Sequence, residues 1–335
     1  MKKILVTGGL GFIGSHTVVE LQNAGYKAVI IDNLYNTKMD VLDNIVSITG
    51  VQPEYHCIDL RDKKVVQDFF KKNSLDGVIH FAASKAVGES VEKPLLYYEN
   101  NISTLVYLLQ EMKRQKLSNF IFSSSCTVYG QAEELPITEN APVKPAESPY
   151  GNTKQIGEEI IKETCNADGL KAIALRYFNP IGAHKSAKIG ELPLGIPQNL
   201  IPFITQTAAG IRKELSVFGD DYATPDGTAI RDYIHVVDLA KAHITALERL
   251  LDNRNKKDFE VFNIGTGKGS SVLEVIDAFE KVSNTKLHYK IVGRREGDIT
   301  AAYADTALAN DELGWKHEKT LEEALLSAWK WQLKQ

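Results

Sequence analysis

Tyr150 and Lys154 stand four residues apart in SPYGNTK, residues 148–154. Ser148 is a good helix N-cap and Pro149 suits the first helical position, so a helix is predicted to begin there. Residues four apart share one helix face, which puts the phenol and the ammonium one turn from each other. A free phenol, with a pKa of about 10, is a poor base at neutral pH. A neighbouring ammonium and the positive helix end both favour the phenolate, the form a proton-accepting tyrosine needs. Taken alone, such a pair is ordinary helix surface. Here it opens the helix after a predicted fifth strand, and that strand ends in Ser123-Ser124-Ser125. Ser125 is the best placed of the three to share a substrate hydroxyl with Tyr150. Ser123 and Ser124 are expected to satisfy backbone groups.

Upstream, VTGGLGFIGSH places Gly8, Gly11 and Gly14 at every third position between a predicted strand and a predicted helix. Gly8 permits a tight turn, Gly11 lets the backbone approach a pyrophosphate at the positive helix end, and Gly14 lets the helix close on the strand. That context, more than the glycines alone, makes the stretch a dinucleotide fingerprint. Asp32 ends the second predicted strand, 18 residues after Gly14. A carboxylate there binds both ribose hydroxyls and repels a 2′-phosphate, so NAD is favoured over NADP. No arginine lies near Asp32 in the sequence to reverse this preference. Asp59, at the end of the third strand, is suited either to face adenine or to serve a turn.

These side chains need a scaffold. KILVT (3–7), KAVIID (27–32), PEYHCID (53–59), DGVIHFA (76–82) and NFIFSSS (119–125) read as strands. Between them, FIGSHTVVELQNAG (12–25) and LLYYENNISTLVYLLQEMKRQ (95–115) have helical spacing. This alternation predicts an α/β fold with right-handed crossovers and a doubly wound parallel, Rossmann-type sheet that binds ligands beyond its carboxyl ends. KAIALRYF (171–178) continues the pattern. From Asn179 to Arg231 the chain is rich in Pro, Gly and Asn, which predicts ordered functional loops around one helical piece, LIPFITQTAAGIRK. Strand-helix pairs follow in YIHVVDLAKAHITALERL and EVFNIGTG…SVLEVIDAFEKV, and TLEEALLSAWKWQ ends as an amphipathic helix. The expected organisation is a dinucleotide-binding domain over residues 1–178, with returns around 232–266. A smaller, partly interleaved substrate lobe takes most of 179–335.

At 335 residues the chain can bury a large core. A formal net charge of −4 gives no attraction for nucleic acid or an anionic membrane surface. No apolar run approaches membrane-spanning length, and MKKILVTGG is broken by glycine too soon for a signal peptide. Cys57, Cys126 and Cys165 are odd in number and lack metal-ligand spacing. They predict small buried thiols, reduced in a cytoplasm, and no metal.

Gly8-x-x-Gly11-x-x-Gly14, HFAA (80–83), the serine-rich strand end and Tyr150-x-x-x-Lys154 resemble the extended short-chain dehydrogenase/reductase family. Within it, AVGESVEKPLLYYENN, FSSSCTVYG, LRYFNPIGAH, GIPQNLIP, DGTAIRDYIHVVDLA and RREGD resemble the branch that inverts carbon 4 of UDP-glucose and UDP-galactose. The similarity runs over essentially the whole chain. It implies an isomerase with tightly held NAD, and a homodimer built on the helices after the fourth and fifth strands. It further implies an NAD site formed by Gly8, Gly11, Phe12, Ile13, Gly14, Asp32, Asn33, Leu34, Tyr35, Asn36, Thr37, Asp59, Leu60, Phe81, Ala82, Ala83, Ser84, Lys85, Asn100, Ser125, Tyr150, Lys154 and Phe178. For the UDP-sugar it implies Arg231 and Arg295 as forked donors to the diphosphate, helped by Asn179, Asn199 and the amide of Leu200. Asp298 would take the ribose, Phe218 with its neighbour Ser216 the uracil, and Lys85, Ser125, Tyr150 and Ala302 the hexose.

By the same resemblance, Tyr150 as phenolate takes the proton of the 4-hydroxyl while carbon 4 gives hydride to NAD+. Ser125 shares that hydroxyl, and Lys154 holds the phenolate and the nicotinamide ribose. The 4-keto sugar turns over about its phosphate linkage and is reduced on its other face, which requires the affinity to be concentrated on UDP. Related dehydratases carry Thr-Asp-Glu where this chain has Ser125-Cys126-Thr127, and without those acids water elimination has no built-in route. Ala302 falls where members restricted to glucose and galactose have tyrosine. A small residue there leaves room for an N-acetyl group, which extends the expected substrates to UDP-N-acetylglucosamine and UDP-N-acetylgalactosamine. Tyr303 next door would fill that room if the loop were shifted. Two readings compete: another NAD-dependent nucleotide-sugar dehydratase or decarboxylase, and an NAD-binding sensor without turnover. Sensors commonly lose the tyrosine or lysine that this chain keeps.

Overall fold

A computed structural model of the protein describes residues 1–295 and 297–335. Seven strands make one sheet: β1 (Lys3–Thr7), β2 (Lys27–Asp32), β3 (Glu54–Cys57), β4 (Gly77–His80), β5 (Asn119–Ser123), β6 (Lys171–Tyr177) and, late in the chain, β10 (Phe259–Ile264). Their spatial order is β10-β6-β5-β4-β1-β2-β3, and every pairing is parallel. The inner strands are continuous apolar runs because both faces of the sheet are covered. Successive residues serve opposite faces: Ile4 and Val6 enter one core, Leu5 the other. The first core is closed by Val18, Val19 and Leu21 of the helix Phe12–Asn23 and by Leu239, Ala242 and Leu247 of the helix Val236–Leu251. The second is closed by Phe69 and Phe70, by Leu105, Leu108 and Met112, and by Ile161 and Cys165 of the helix Pro149–Asp168. Each such side chain contributes about 1.5–3 kcal/mol on leaving water. The order reverses at β1, between β2 and β4, which opens a crevice at the carboxyl ends of the strands.

The stretch after β6 is less irregular than its Pro, Gly and Asn content suggests. It contains β7 (Asn179–Ile181), β8 (Leu215–Phe218) and the start of β9 (Ile230–His235). Strands of three to six residues between turn residues give too short a period for the sequence to reveal. β9 is the hub of a second sheet and pairs with β7, β11 (Gly269–Ser271) and β13 (Ala301–Ala302). β12 (Tyr289–Val292) pairs with β8. β9 runs straight into the helix Val236–Leu251, whose first turn is capped by His235, and β10 then joins the large sheet beside β6.

Other boundaries also differ from the sequence reading. β3 stops at Cys57 and β5 at Ser123, so Ser124 and Ser125 leave the ladder. The helical pattern over 95–115 is observed as Pro94–Tyr98, a π-turn Glu99–Ser103 and Thr104–Arg114. The piece LIPFITQTAAGIRK is helical only to Ala208. Cys165 is buried as expected, but Cys126 is half-buried and Cys57 is exposed, because β3 is the outermost strand.

Asp232 on β9 is wholly buried and holds the second sheet together. It accepts from Thr266 N at 2.8 Å, Gly267 N at 3.1 Å, Ala304 N at 3.2 Å and Thr266 Oγ1 at 2.6 Å. Gly265 permits the approach, since a Cβ there would stand 2.4 Å from Asp232 Oδ2. Burial pushes this carboxyl above the usual range, against the pull of its hydrogen bonds. Asp232→Ala strands three backbone N–H groups and is expected to lower stability by at least about 3 kcal/mol in urea denaturation. A loss under about 1 kcal/mol would show that the carboxylate is not the tie.

Candidate active site

The helix Pro149–Asp168 begins as its sequence dictates. Ser148 is extended, its Oγ accepts from Gly151 N at 3.1 Å, and Pro149 opens the first turn. Tyr150 and Lys154 thereby fall on the buried face, 8% and 4% exposed. Lys154 Nζ donates to the Ser123 carbonyl at 2.7 Å and lies 5.8 Å from the centre of the Tyr150 ring. Past β5, Ser125 is extended and its Oγ accepts from Thr127 N at 3.2 Å, capping a tight turn over Cys126–Tyr129. The same hydroxyl lies close enough to the Tyr150 phenol to favour its ionised form. Ser125, Tyr150 and Lys154 therefore converge.

Ser123 and Ser124 correct the expectation that they satisfy backbone. Ser123 Oγ lies 2.5 Å from the Tyr177 hydroxyl, and Ser124 Oγ donates to Glu158 at 2.5 Å. Glu158 accepts from Arg176 Nε at 2.9 Å within a buried ion pair. Sequence reasoning missed Glu158, although Tyr150, Lys154 and Glu158 recur at i, i+4 and i+8 on one helix face.

Burial pushes the Tyr150 phenol well above its ordinary pKa; Tyr177 adds to this and the nearby Ser125 hydroxyl opposes it. Burial also pushes the Lys154 ammonium down, to about 8, with Glu158 opposing. The protein's own groups thus do not produce the phenolate expected from an adjacent ammonium. Desolvation of the charge outweighs the attraction, because both groups lie inside.

The glycine turn is built as the fingerprint requires, with one correction. Gly8 has φ +68°, and a Cβ on it would meet Ala82 N at 2.9 Å. A Cβ on Gly14 would lie 2.2 Å from the Gly8 carbonyl oxygen, so Gly14 seats the helix on the turn itself rather than on the strand. Gly11 is the N-cap of the helix Phe12–Asn23, and no side chain caps it. Phe12 and Ile13 then bring free first-turn N–H groups, a ready seat for an anion. Asp32 braces this turn: Oδ2 accepts from Leu10 N at 3.1 Å and Oδ1 from Leu34 N at 2.9 Å. In the loop that follows, Asn33 Oδ1 accepts from Tyr35 N at 3.1 Å, and Thr37 Oγ1 donates to the Leu10 carbonyl at 2.7 Å. Tyr35 itself is exposed. Asp59 accepts from Asn33 at 3.2 Å and pairs with Arg61 at 2.7 Å. An arginine does stand at this corner, contrary to the sequence reading, but a carboxylate holds it.

Phe81, Ala82 and Ala83 follow β4; the Phe81 ring meets His243 at 4.6 Å and Ala82 N reaches Thr7 Oγ1 at 3.3 Å. Leu60 is core. Ser84 is clamped from the π-turn: Asn100 Nδ2 donates to its hydroxyl at 2.9 Å, and Asn101 takes its N–H at 2.8 Å. Asn101 also donates to Thr153 Oγ1 at 3.0 Å, which ties the loop after β4 to the catalytic helix. The sequence offered Asn100 and missed Asn101; a π-turn presents both at once.

The substrate candidates form a second group. Arg295 donates to Asp298 at 3.1 and 2.7 Å, Arg231 lies 3.6 Å from the same carboxylate, and the Arg295 guanidinium is 5.7 Å from the Phe218 ring centre. Ser216 shares the Phe218 face of β8. Ala302 pairs with Arg231 in the ladder and is buried with Phe178 and Val128. Tyr303 turns its ring to Gly269, where a Cβ would be 3.0 Å from it. Asn179 opens β7 opposite Tyr233. Asn199 precedes the helix Leu200–Ala208 without capping it by its side chain. Lys85 Nζ and Asn199 Nδ2 both reach Glu191, a residue that nothing in the sequence singled out. The two groups adjoin at Cys126, which follows Ser125 and feels the charge of Arg231. Among the described residues no cluster of three or more His, Cys, Asp or Glu is arranged to hold a metal ion, and no helix is long and apolar enough to cross a membrane.

A doubly wound sheet with a glycine turn at its switch point, and a Ser-Tyr-Lys constellation at the end of β5, define an extended short-chain dehydrogenase/reductase. A family model described as GDP-mannose 4,6 dehydratase matches residues 5–327. The UDP-glucose 4-epimerase of Mus musculus is 49% identical, with 99% of this chain and 97% of the mouse protein covered. Among solved structures, UDP-glucose 4-epimerase from Bifidobacterium longum in complex with NAD+ and UDP superposes with a TM-score of 0.95 at 48% identity, covering 99% of this chain and 98% of that one. The enzyme from Stenotrophomonas maltophila, with bound NAD and formylated UDP-arabinopyranose, gives 0.96 at 46%, covering 100% and 98%. The chain belongs to the UDP-glucose 4-epimerase family.

Proposed function

We propose that the protein interconverts UDP-glucose and UDP-galactose by inverting carbon 4, with NAD as its resident cofactor. The observation that carries this reading is the convergence of Ser125, Tyr150 and Lys154 beside an uncapped glycine turn. NAD, when bound, would supply the hydride acceptor and donor for carbon 4 and, when oxidised, a positive charge that favours the Tyr150 phenolate. The residues fit it: Gly11 puts no side chain at the head of the helix, the first turn at Phe12 and Ile13 offers N–H groups, and Asp32 keeps lone pairs for a ribose.

Tyr150 takes the 4-hydroxyl proton and gives it back after inversion, with the Ser125 hydroxyl beside it. Lys154, fixed by the Ser123 carbonyl, keeps two N–H donors for the phenolate and the nicotinamide ribose. Arg231 and Arg295, set by Asp298, suit a diphosphate, and Phe218 offers a face to uracil. A grip concentrated on UDP leaves the hexose free to turn over, which inversion demands. Burial pushes the Cys126 thiol up to about 12, and Thr127 is no acid, so the end of this strand has nothing that suits dehydration. Purified protein given UDP-galactose and no added NAD is expected to form UDP-glucose. Tyr150→Phe is expected to bind the sugar nucleotide and lose turnover about a hundredfold or more. A mutant at the wild-type rate would remove the proton role; a deoxy or pentose product would favour a dehydratase or decarboxylase, and no turnover a sensor.

The buried Ala302 and the averted Tyr303 support a wider range that includes UDP-N-acetylglucosamine and UDP-N-acetylgalactosamine. Ala302→Tyr is expected to lower N-acetyl turnover at least about tenfold while keeping UDP-galactose turnover. Equal N-acetyl activity in both proteins would discard the steric argument. A homodimer is supported by an apolar face on the helices after β4 and β5, where the 81% exposed Leu95 neighbours Leu96, Tyr98, Ile102 and Ile156. Light scattering is expected to give twice the 37.2 kDa chain mass; a single-chain mass at every concentration would exclude it.

A further inference from the structure

We infer that Glu191 positions Lys85 and Asn199 for the sugar nucleotide, an inference that rests on the epimerase reading. One carboxylate oxygen, Oε1, accepts from Lys85 Nζ at 3.3 Å and from Asn199 Nδ2 at 2.7 Å. Lys85 comes from the loop after β4, 106 residues away, and Asn199 from the head of the helix Leu200–Ala208. The contact therefore joins the dinucleotide sheet to the second lobe.

The glutamate is the fixed partner. Its side chain is 12% exposed and that of Lys85 53%. Trp331 Nε1 donates to the Glu191 carbonyl at 2.9 Å. Gly190 lies flat on the Trp331 ring, where a Cβ would come within 2.6 Å, and pairs with Ala183 in an antiparallel bridge. Ile189, one residue earlier, is buried in the sheet-side core, and its carbonyl accepts from His184 N at 3.1 Å.

An ion pair between two flexible surface chains contributes little, because both must be ordered to form it. Here one end is already immobile, so only the lysine is ordered. Lys85 has three N–H donors and the Asn199 amide two, so each keeps at least one for substrate while bound to Glu191. A carboxylate near a diphosphate would repel it, and Lys85 supplies the charge that cancels this. Glu191 is thus a positioning residue: it acts on the hexose end through Lys85 and on the diphosphate through Asn199. UDP, gripped also by Arg231 and Arg295, depends on it less.

The test is a double-mutant cycle with UDP-galactose on the protein as purified. E191A is expected to lower kcat/KM about tenfold, the worth of a charge-assisted hydrogen bond, while UDP affinity by calorimetry changes less than about threefold and the Tm stays put. E191A/K85M is expected to fall no more than about threefold below K85M, because the second change removes a partner already lost. E191Q keeps an acceptor of the same shape and is expected to lie between wild type and E191A; it carries the same cycle should E191A be unstable. Wild-type kcat/KM in E191A, additive losses in the cycle, or equal losses of UDP and UDP-sugar binding would each overturn the inference. A wild-type protein that does not turn over UDP-galactose would overturn the epimerase reading instead.

Discussion

A lysine ammonium buried at the end of a parallel strand must be satisfied there, or it sheds its proton. Lys154 meets this constraint with the Ser123 carbonyl and with Glu158 one turn further along the same helix. The rest of the site follows from keeping that arrangement dry and fixed. Glu158 is itself pinned by Arg176 and Ser124, and Ser123 by Tyr177, so β5, β6 and the helix Pro149–Asp168 lock one another. Tyr150 is carried along by the helix and shares its burial, which is why its phenol resists ionisation among protein groups alone.

What the sequence disclosed was what is local. The turn at Gly8, Gly11 and Gly14, the Ser148-Pro149 helix start and the Tyr150–Lys154 spacing are set within a few residues, and so are the apolar runs of β1, β2, β4, β5 and β6. Glu191, Asn101 and Asp232 escaped because their meaning lies in partners 106, 52 and 72 residues away. The short strands β7 and β8 and the first residues of β9 escaped for a related reason: they exist through pairing, with too few residues to show a period. The burial that opposes ionisation of Tyr150 escaped too, because proximity can be read from spacing and desolvation cannot.

The two groups of candidate residues are joined by ordinary packing. Ala302 sits in a small core with Phe178, Val128 and Tyr129, which packs β13, the end of β6 and the turn after Ser125 against one another. Lys85, Asn199 and Glu191 form a separate hydrogen-bonded group.

The path of the chain between β9 and β10 has a consequence for how this protein can be taken apart. The strand that carries Arg231 leads without a break into the helix Val236–Leu251 that covers the large sheet, and the sheet's outermost strand beside β6 is drawn from still later in the sequence. A cut after Tyr177 would therefore not release two independent pieces; the front piece would lose an edge strand and a covering helix and expose the apolar flank of β6. The second lobe is therefore not a portable module.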